Sequence, residues 1–151
     1  RCCVLYIYGG IYMDIKLTTI YPFKLITLTD REYFVKDRPP NSIYNAFMVC
    51  KPNSILLKHA ISSIIKNVRI RYYGNCPLAP TGPVLMGRLA DKLGIKYGEL
   101  YYLNSGGFIM QNNRKIISIN FPEYDKIRRT VYAQKKTKRY DALWQQKIIY
   151  R

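Results

Sequence analysis

Acidic residues are scarce in this chain of 151 residues, which has 9 Asp and Glu against 25 Lys and Arg and a formal net charge of +16. Histidine occurs only once, as His59, so a site built from two histidines is excluded. The sequence also contains no P-loop, GxGxxG, GxSxG or HExxH motif. An ATPase or a hydrolase therefore has no support from sequence motifs.

Cysteine occurs four times, as Cys2, Cys3, Cys50 and Cys76, and no two of these form a CxxC pair. Their mostly apolar surroundings predict reduced, buried thiols in a reducing compartment rather than disulfides or a zinc site. The sequence shows no signal peptide, and no apolar run approaches the roughly 18 residues that a membrane-spanning helix needs. We therefore expect a cytoplasmic protein or one that is peripheral to a membrane.

Hydrophobic residues make up 48% of the chain and aromatic residues 14%, which is enough for the packed core of one domain. Positive charge is concentrated towards the end, because residues 114–151 carry the same net charge of +8 as residues 1–113. We expect a core at 1–122 and a basic tail or flap at 123–151. Such charge favours nucleotide diphosphates, anionic membranes or nucleic acid as partners, without choosing among them.

The stretch from Gly9 to Lys16 reads GGIYMDIK and predicts a strand that opens on two glycines and ends in charge. The preceding run, Cys2 to Tyr8, is apolar throughout, so we expect it to be buried on both faces. A lone carboxylate in such surroundings costs several kcal/mol unless a cation, a metal or hydrogen-bond donors meet it. Asp14 is therefore a candidate site residue.

Periodicity and turn residues predict a mixed α/β chain. The clearest helix has Asn53 or Ser54 as N-cap and continues to about Val68, and a second has Thr81 as N-cap and stops at Gly94. The other predicted elements are strands at 23–28, 32–35, 42–50 and near 103, a turn at 36–41, a hairpin at 108–119 around Asn112 and Asn113, and a short basic helix at 123–134.

Three polar residues of these elements have both a structural and a functional interpretation. Asn45 in the strand 42–50 either satisfies neighbouring backbone groups or faces a substrate. Thr81 either caps its helix or, with Gly82, binds phosphate or sugar hydroxyls, because helix N-termini favour anions. His59 lies near the apolar stripe of its helix, and we expect a partly buried structural histidine rather than a catalytic one.

Three blocks of the sequence resemble glycosyltransferase family 32, the sugar transferases with a DxD motif that include yeast initiating mannosyltransferases. GGIYMDIK is similar to the family's GGIYxDxD block, Ile43–Met48 to its NAFM strand, and Thr81–Pro83 to its TGP turn. These blocks have the order and spacing of the family. More loosely, Tyr140–Trp144 is similar to the closing block of giant-virus members.

The resemblance implies an A-type glycosyltransferase fold, an α/β Rossmann-like nucleotide-diphospho-sugar transferase domain, here without its N-terminal βα unit. It also implies transfer of a sugar, with retention, from a GDP- or UDP-sugar to a hydroxyl of a glycan or protein. The site residues that it implies are Asp14 and Lys16 as catalytic residues, and Gly9, Gly10, Tyr12, Asn45, Thr81, Gly82, Arg139 and Trp144 as substrate-binding residues.

The metal is the point at which this chain departs from the family. The resemblance implies Mn²⁺ or Mg²⁺ bound by Asp14, but Lys16 stands where the family has its second aspartate, and the closing block reads Lys138-Arg139-Tyr140 without a histidine. A departing diphosphate needs positive charge, and Lys16 or Arg139 can supply that charge directly. The run Lys135–Arg139 is either a solvated tail or a flap over the diphosphate, and Trp144 either walls the site or anchors the tail.

Two other functions are consistent with the composition. A basic nucleic-acid-binding protein would use the tail and the many tyrosines, although these tyrosines lie mostly in apolar runs rather than in the pattern of an RNA-recognition sheet. An inactive remnant of a transferase is suggested by Lys16. We expect no dedicated nucleic-acid site, and we expect any membrane contact to be peripheral.

Overall fold

A computed structural model describes residues 1–103, 107–119, 122–134 and 139–150, and it has a mixed α/β architecture. The helices are α1 (Cys2–Tyr8), α2 (Ile55–Arg69), α3 (Pro83–Lys92), α4 (Pro122–Gln134) and α5 (Tyr140–Gln145). The strands are β1 (Gly10–Met13), β2 (Thr18–Thr19), β3 (Tyr33–Lys36), β4 (Ile43–Cys50), β5 (Leu100–Leu103), β6 (Phe108–Gln111) and β7 (Arg114–Ser118). None of the described helices is long and apolar enough to span a lipid bilayer.

The seven strands form one mixed sheet in the order β1-β4-β3-β5-β6-β7-β2. Every neighbouring pair is antiparallel except β3 and β5, which run parallel. The two edge strands, β1 and β2, are joined by only residues 14–17, so Met13 and Thr18 are at most about 18 Å apart. The sheet must therefore curl, and Asp14 and Lys16 lie on the link between its two edges.

Each face of the sheet has its own apolar core. One core contains fully buried side chains of β3, β4, β6 and β7, with Val35, Phe47 and Ile117 among them. The other lies between the sheet and helices α1 to α3, where Met48 and Leu56 are fully buried. Helices α1, α2 and α3 therefore lie on the same face of the sheet.

Most of the predicted elements are confirmed. The helices around residues 55–69 and 83–92, the strand 43–50 and the hairpin of β6 and β7 all form, and Asn112 and Asn113 both have positive φ in its turn. Ser54 is the N-cap of α2, although its side chain makes no capping hydrogen bond. The N-cap of α3 is Gly82 rather than Thr81.

The secondary structure predicted for two segments was wrong. Cys2–Tyr8 is a helix rather than a strand buried on both faces: only Leu5 is buried in it, and Tyr8 is 76% exposed. Gly9 ends that helix with a φ of +66°, and a short apolar run does not distinguish a helix from a strand. Similarly, the predicted strand 23–28 contains a 3₁₀ helix at Leu25–Leu28 instead.

Two predictions of burial also need correction. His59 is exposed on α2, because its position falls outside the stripe that packs on the sheet. Among the cysteines, all four are free thiols, but Cys3 is exposed. Cys50 fits the expectation, since it is buried and burial raises the pKa of its thiol to about 12.

Gly87 fixes the distance between α3 and the start of β4. A Cβ at this position would lie 2.6 Å from the Cα of Ser42 and would overlap the carbonyl of Asn41. We expect Gly87→Ala to lower the free energy of unfolding by about 3 kcal/mol or more, because the contact is with backbone that cannot rotate away. Urea unfolding followed by circular dichroism measures this loss.

Gly94→Ala is the matched control for this variant. Gly94 has a φ of +66°, but no atom lies within 4 Å of a Cβ added there. Its expected loss is about 1 kcal/mol, from backbone strain alone. Equal losses for the two variants would contradict the packing of α3 against β4.

Candidate functional site

A cleft of about 770 Å³ lies where the link after β1, strand β4 and the start of α3 meet. Asp14 and Lys16 enter it from the link, Asn45 from β4, and Thr81 and Gly82 from the start of α3. The cleft is further lined by Arg1, Cys2, Cys3, Asp37, Arg38, Tyr44, Ala46, Ile61, Ile64, Ile65, Pro77, Leu78, Pro83 and Tyr140. Residues from three separate sequence blocks therefore line one cavity.

Asp14 is held in place by backbone and side-chain contacts. Its N–H donates to the carbonyl of Ala46 at 2.8 Å, which extends the pairing of β1 with β4 by one residue. The hydroxyl of Tyr12 donates to its Oδ1 at 2.6 Å. The carboxylate thus has a fixed orientation, and 27% of its side chain remains exposed towards the cleft.

Two cations neutralise this carboxylate. Lys16 Nζ is 3.7 Å from Oδ2 of Asp14, and a guanidinium nitrogen of Arg1 is 4.0 Å from Oδ1. Arg38 also lines the cleft, so its lining contains three cations and the two carboxylates Asp14 and Asp37. The cleft therefore has a positive balance beside one ordered carboxylate, an arrangement suited to an anion that also carries hydroxyl groups.

Tyr44 forms an aromatic wall next to these charges. Its ring centroid is 5.5 Å from Lys16 Nζ and 5.3 Å from the ring centroid of Tyr102. Burial, and to a lesser extent the negative charge of Asp14, raises the pKa of the Tyr44 phenol well above its usual value. A phenol is neutral at physiological pH in any case, and this shift of the Tyr44 pKa favours the neutral form further.

Strand β4 has an irregularity next to Ala46, the residue that pairs with Asp14. Phe34 and Lys36 of β3 pair with Met48 and Ile43 of β4, so two steps along β3 correspond to five along β4. The extra residues bulge out of the ladder around Asn45, whose carbonyl accepts a hydrogen bond from Arg1 at 2.6 Å. Bulges of this kind often redirect side chains next to functional sites.

The turn before α3 supplies the opposite wall. The N–H of Gly82 donates to the carbonyl of Leu78, and a Cβ on Gly82 would lie 2.9 Å from that same oxygen. A glycine is therefore required for the turn itself, and it also leaves the backbone open to a ligand. The following ten-residue helix begins with Pro83, so its first turn faces the cleft.

The other sequence-derived candidates lie elsewhere. Gly9 and Gly10 are at the far end of β1, where a Cβ on Gly9 would clash with Pro52 and the carbonyl of Cys50, so Gly9 has a structural role. Arg139 precedes α5, is exposed, and pairs with Asp141 at 3.3 Å. Neither the glycines nor Arg139 line the cleft.

Trp144 anchors α5 to the segment after α2. Its indole N–H donates to the carbonyl of Tyr73 at 2.6 Å, in agreement with the anchoring alternative for the tail, and its ring lines a second cavity. Residues 135–138 of the predicted basic flap lie outside the described residues.

Sequence patterns did not single out Arg1, Arg38 or Tyr44. One signal was available for Arg38, because the predicted turn 36–41 leads directly into the strand that carries Asn45. No sequence pattern indicates the position of Arg1, which depends on α1 packing against β1.

The donor set around Asp14 does not fit a divalent cation held by protein side chains. Its Oδ1 already accepts the Tyr12 hydroxyl, and Lys16 and Arg1 place positive charge beside both oxygens. Within the described part of the chain, no group of three His, Cys, Asp or Glu side chains is arranged to bind a metal. A site for Mn²⁺ or Mg²⁺ usually combines several oxygen ligands.

The hydroxyl of Tyr12 orients Asp14, and removing this hydroxyl should lower the stability of the protein. We expect Tyr12→Phe to lower the free energy of unfolding by about 1 kcal/mol at neutral pH, because the carboxylate loses a hydrogen bond. Chemical denaturation of both proteins measures the difference, and Tyr8→Phe, at an exposed tyrosine of α1, is the control.

The loss of stability in Tyr12→Phe should depend on pH. The hydrogen bond to Asp14, followed by burial, raises the pKa of Tyr12 above its ordinary value of 10.0. Since the folded-state pKa is the higher one, this stabilisation is present at neutral pH and is lost as the pH rises above 10. The difference in free energy of unfolding between wild type and Tyr12→Phe should therefore become smaller at alkaline pH. A difference that becomes larger there would contradict the hydrogen bond.

Comparisons of the chain with models of known protein families, with curated proteins and with solved structures found no match. A proposal for the function therefore depends on the chemistry of the cleft and on the three sequence blocks whose residues line it.

Proposed function

We propose that this chain is a glycosyltransferase domain that moves a sugar from a GDP- or UDP-sugar to a hydroxyl group of a glycan or protein. The observation that carries the proposal is the convergence of Asp14, Lys16, Asn45, Thr81 and Gly82 in one cleft. These residues come from the three blocks that resemble family 32. Residues that are up to 68 positions apart in the sequence have no local reason to meet in one cavity.

The size and charge of the cleft support a nucleotide-sugar donor. Its volume of about 770 Å³ falls within the range of roughly 300–1,000 Å³ that is typical of small-molecule sites. The cations Arg1, Lys16 and Arg38 match the two negative phosphates, and the first turn of α3 offers further stabilisation of an anion. Asp14 and Asn45 provide oxygen atoms that accept hydrogen bonds from ribose or sugar hydroxyls.

The proposed chemistry consists of positioning and stabilisation of the leaving group. The acceptor oxygen forms a bond to the anomeric carbon, the bond from that carbon to the diphosphate breaks, and the acceptor proton passes to the departing phosphate. Lys16 offsets the negative charge that develops on the diphosphate. Retention at the anomeric carbon is what the family resemblance implies.

An A-type glycosyltransferase fold is part of the same proposal. The mixed α/β architecture of the described chain agrees with this fold at the level of class. Asp14 directly follows a strand of that sheet, and the resemblance likewise implies that the GGIYxDxD block ends a strand.

The proposal predicts transfer that does not require a divalent metal, because Lys16 and Arg1 occupy the space around Asp14. Release of GDP or UDP from a panel of nucleotide sugars, with EDTA or with Mn²⁺, measures this. We expect the rates with EDTA and with Mn²⁺ to agree within about threefold, a difference in barrier of less than 1 kcal/mol. Complete loss in EDTA with rescue by Mn²⁺ would contradict the role of Lys16, and no release under any condition would favour an inactive remnant.

A further inference from the structure

A second cavity, of about 730 Å³, adjoins the proposed donor cleft. The two cavities share Pro77, Thr81 and Tyr140 in their linings, so a ligand in one lies beside a ligand in the other. The second cavity is mainly apolar, and its walls include the aromatic rings of Tyr140, Trp144 and Tyr150. It is therefore placed where a second substrate would meet the donor.

The aromatic wall is held rigidly. The Trp144 indole N–H is used by the carbonyl of Tyr73, and the hydroxyl of Tyr150 donates to the carbonyl of Tyr72. The rings of Tyr73 and Tyr150 are in edge contact at 5.3 Å. With their polar ends satisfied by backbone, these side chains present ring surface to the cavity, and such surface suits the apolar faces of a sugar ring.

The charge carried by the described residues that line this cavity is positive only. Arg71 is the only charged residue in its lining, and no carboxylate of the described residues lines it. Arg71 is exposed and makes no ion pair with any described residue. The ammonium of Lys147 lies nearby, 4.8 Å from the ring of Trp144. A guanidinium at the mouth of an aromatic cavity suits a phosphate or carboxylate group.

We infer that the second cavity binds the acceptor, and that the acceptor is a sugar carrying a phosphate or carboxylate group. Its ring lies against Trp144, its anionic group pairs with Arg71, and a hydroxyl reaches the donor cleft past Thr81 and Tyr140. This inference rests on the proposed function, because it identifies the second substrate of the same transfer.

Trp144 is the only tryptophan of the chain and lines this cavity, so its fluorescence reports binding there. The full chain is titrated with mannose 6-phosphate, with glucuronic acid and with neutral methyl mannoside, without nucleotide. We expect a saturable change in emission with at least one anionic sugar, which identifies the preferred anion, and binding of methyl mannoside at least tenfold weaker. Inorganic phosphate alone should also bind at least tenfold more weakly than the sugar phosphate.

Arg71→Gln should raise the dissociation constant of the anionic sugar about tenfold or more. The matched control is Arg69→Gln, which removes an exposed charge two positions away that does not line the cavity, and it should leave the constant unchanged. Equal effects of the two variants, equal binding of neutral and anionic sugars, or no change in emission with any probe would each overturn the inference.

A parallel titration with GDP- and UDP-sugars separates this inference from the proposed function. Nucleotide-sugar binding by a chain that binds no anionic sugar would refute the acceptor site while the donor site stands. Anionic sugar binding without any nucleotide-sugar binding would refute the proposed transfer, and with it the acceptor role of the cavity.

Discussion

Replacing Asp14 with asparagine is expected to reduce sugar transfer at least about 100-fold while the chain remains folded. A hydrogen bond between a charged group and its partner contributes about 1.5–3 kcal/mol, and Asp14 is the ordered carboxylate that faces the cleft. Its loss also leaves Lys16 and Arg1 without their counter-charge, so both cations move from the positions that suit the diphosphate. The rate of nucleotide release in the presence of acceptor measures this effect.

His59→Gln is the control for the Asp14 variant. His59 is the only histidine, it is exposed on α2, and it does not line the cleft. Its replacement should leave transfer within about twofold of wild type, a barrier change of less than 0.5 kcal/mol. A similar loss in both variants would contradict the location of the site.

Lys16→Gln is expected to lower the turnover rate by about 100- to 1,000-fold, which is typical when one stabilising group of a transition state is removed. The ammonium lies within 3.7 Å of Asp14 and within the cleft, and it is the proposed substitute for a metal at the departing diphosphate. The partly exposed ion pair contributes less than about 1 kcal/mol to stability, so the variant should fold. Lys16→Arg should recover part of the rate, since it restores the charge with a different shape.

The matched control is Lys24→Gln, which removes one positive charge from an exposed residue outside the cleft. The chain has a net charge of +16, and if only its general attraction for the anionic donor mattered, Lys16→Gln and Lys24→Gln would lower turnover equally. Equal losses would therefore show that total charge matters and that Lys16 has no specific role. Retained turnover in Lys16→Gln would contradict the proposed stabilisation of the leaving group.

Much of the local structure could be predicted from the sequence. The long amphipathic pattern of α2 and the paired asparagines of the β6–β7 turn gave specific signals, and both predictions are confirmed. The strand that carries Asn45 and the helix that follows Gly82 also form within a few residues of their predicted bounds. The three sequence blocks thus supply the five predicted site residues that line the cleft, Asp14, Lys16, Asn45, Thr81 and Gly82.

The errors have a common physical cause. The run Cys2–Tyr8 has no polar residue to reveal a period, so its helical state depends on Leu5 packing against its neighbours and on Gly9 ending the helix. The bulge in β4 is likewise invisible in the sequence, because it is a shift of register against β3 between Phe34 and Lys36, while the pairing of β4 with β1 stays regular. Next to that bulge, the backbone carbonyl of Asn45 accepts a hydrogen bond from Arg1, and no spacing rule anticipates this contact.

The roles of distant residues were also beyond prediction. Trp144 was open to two interpretations, and its hydrogen bond to Tyr73 depends on a contact across 71 positions of the chain. Tyr12 was expected to contact the substrate, and the hydrogen bond of its hydroxyl to Asp14 was not anticipated. Both cases depend on side-chain direction, which tertiary packing determines.

The most direct test of a donor site at Asp14 and Lys16 is calorimetric titration of the full chain with GDP- and UDP-sugars in EDTA at moderate salt. We expect saturable binding of one nucleotide class. Its affinity should fall at least about tenfold in Asp14→Asn and stay unchanged in His59→Gln. A folded protein that binds none of these nucleotide sugars, or that binds them equally well in Asp14→Asn, would contradict the account.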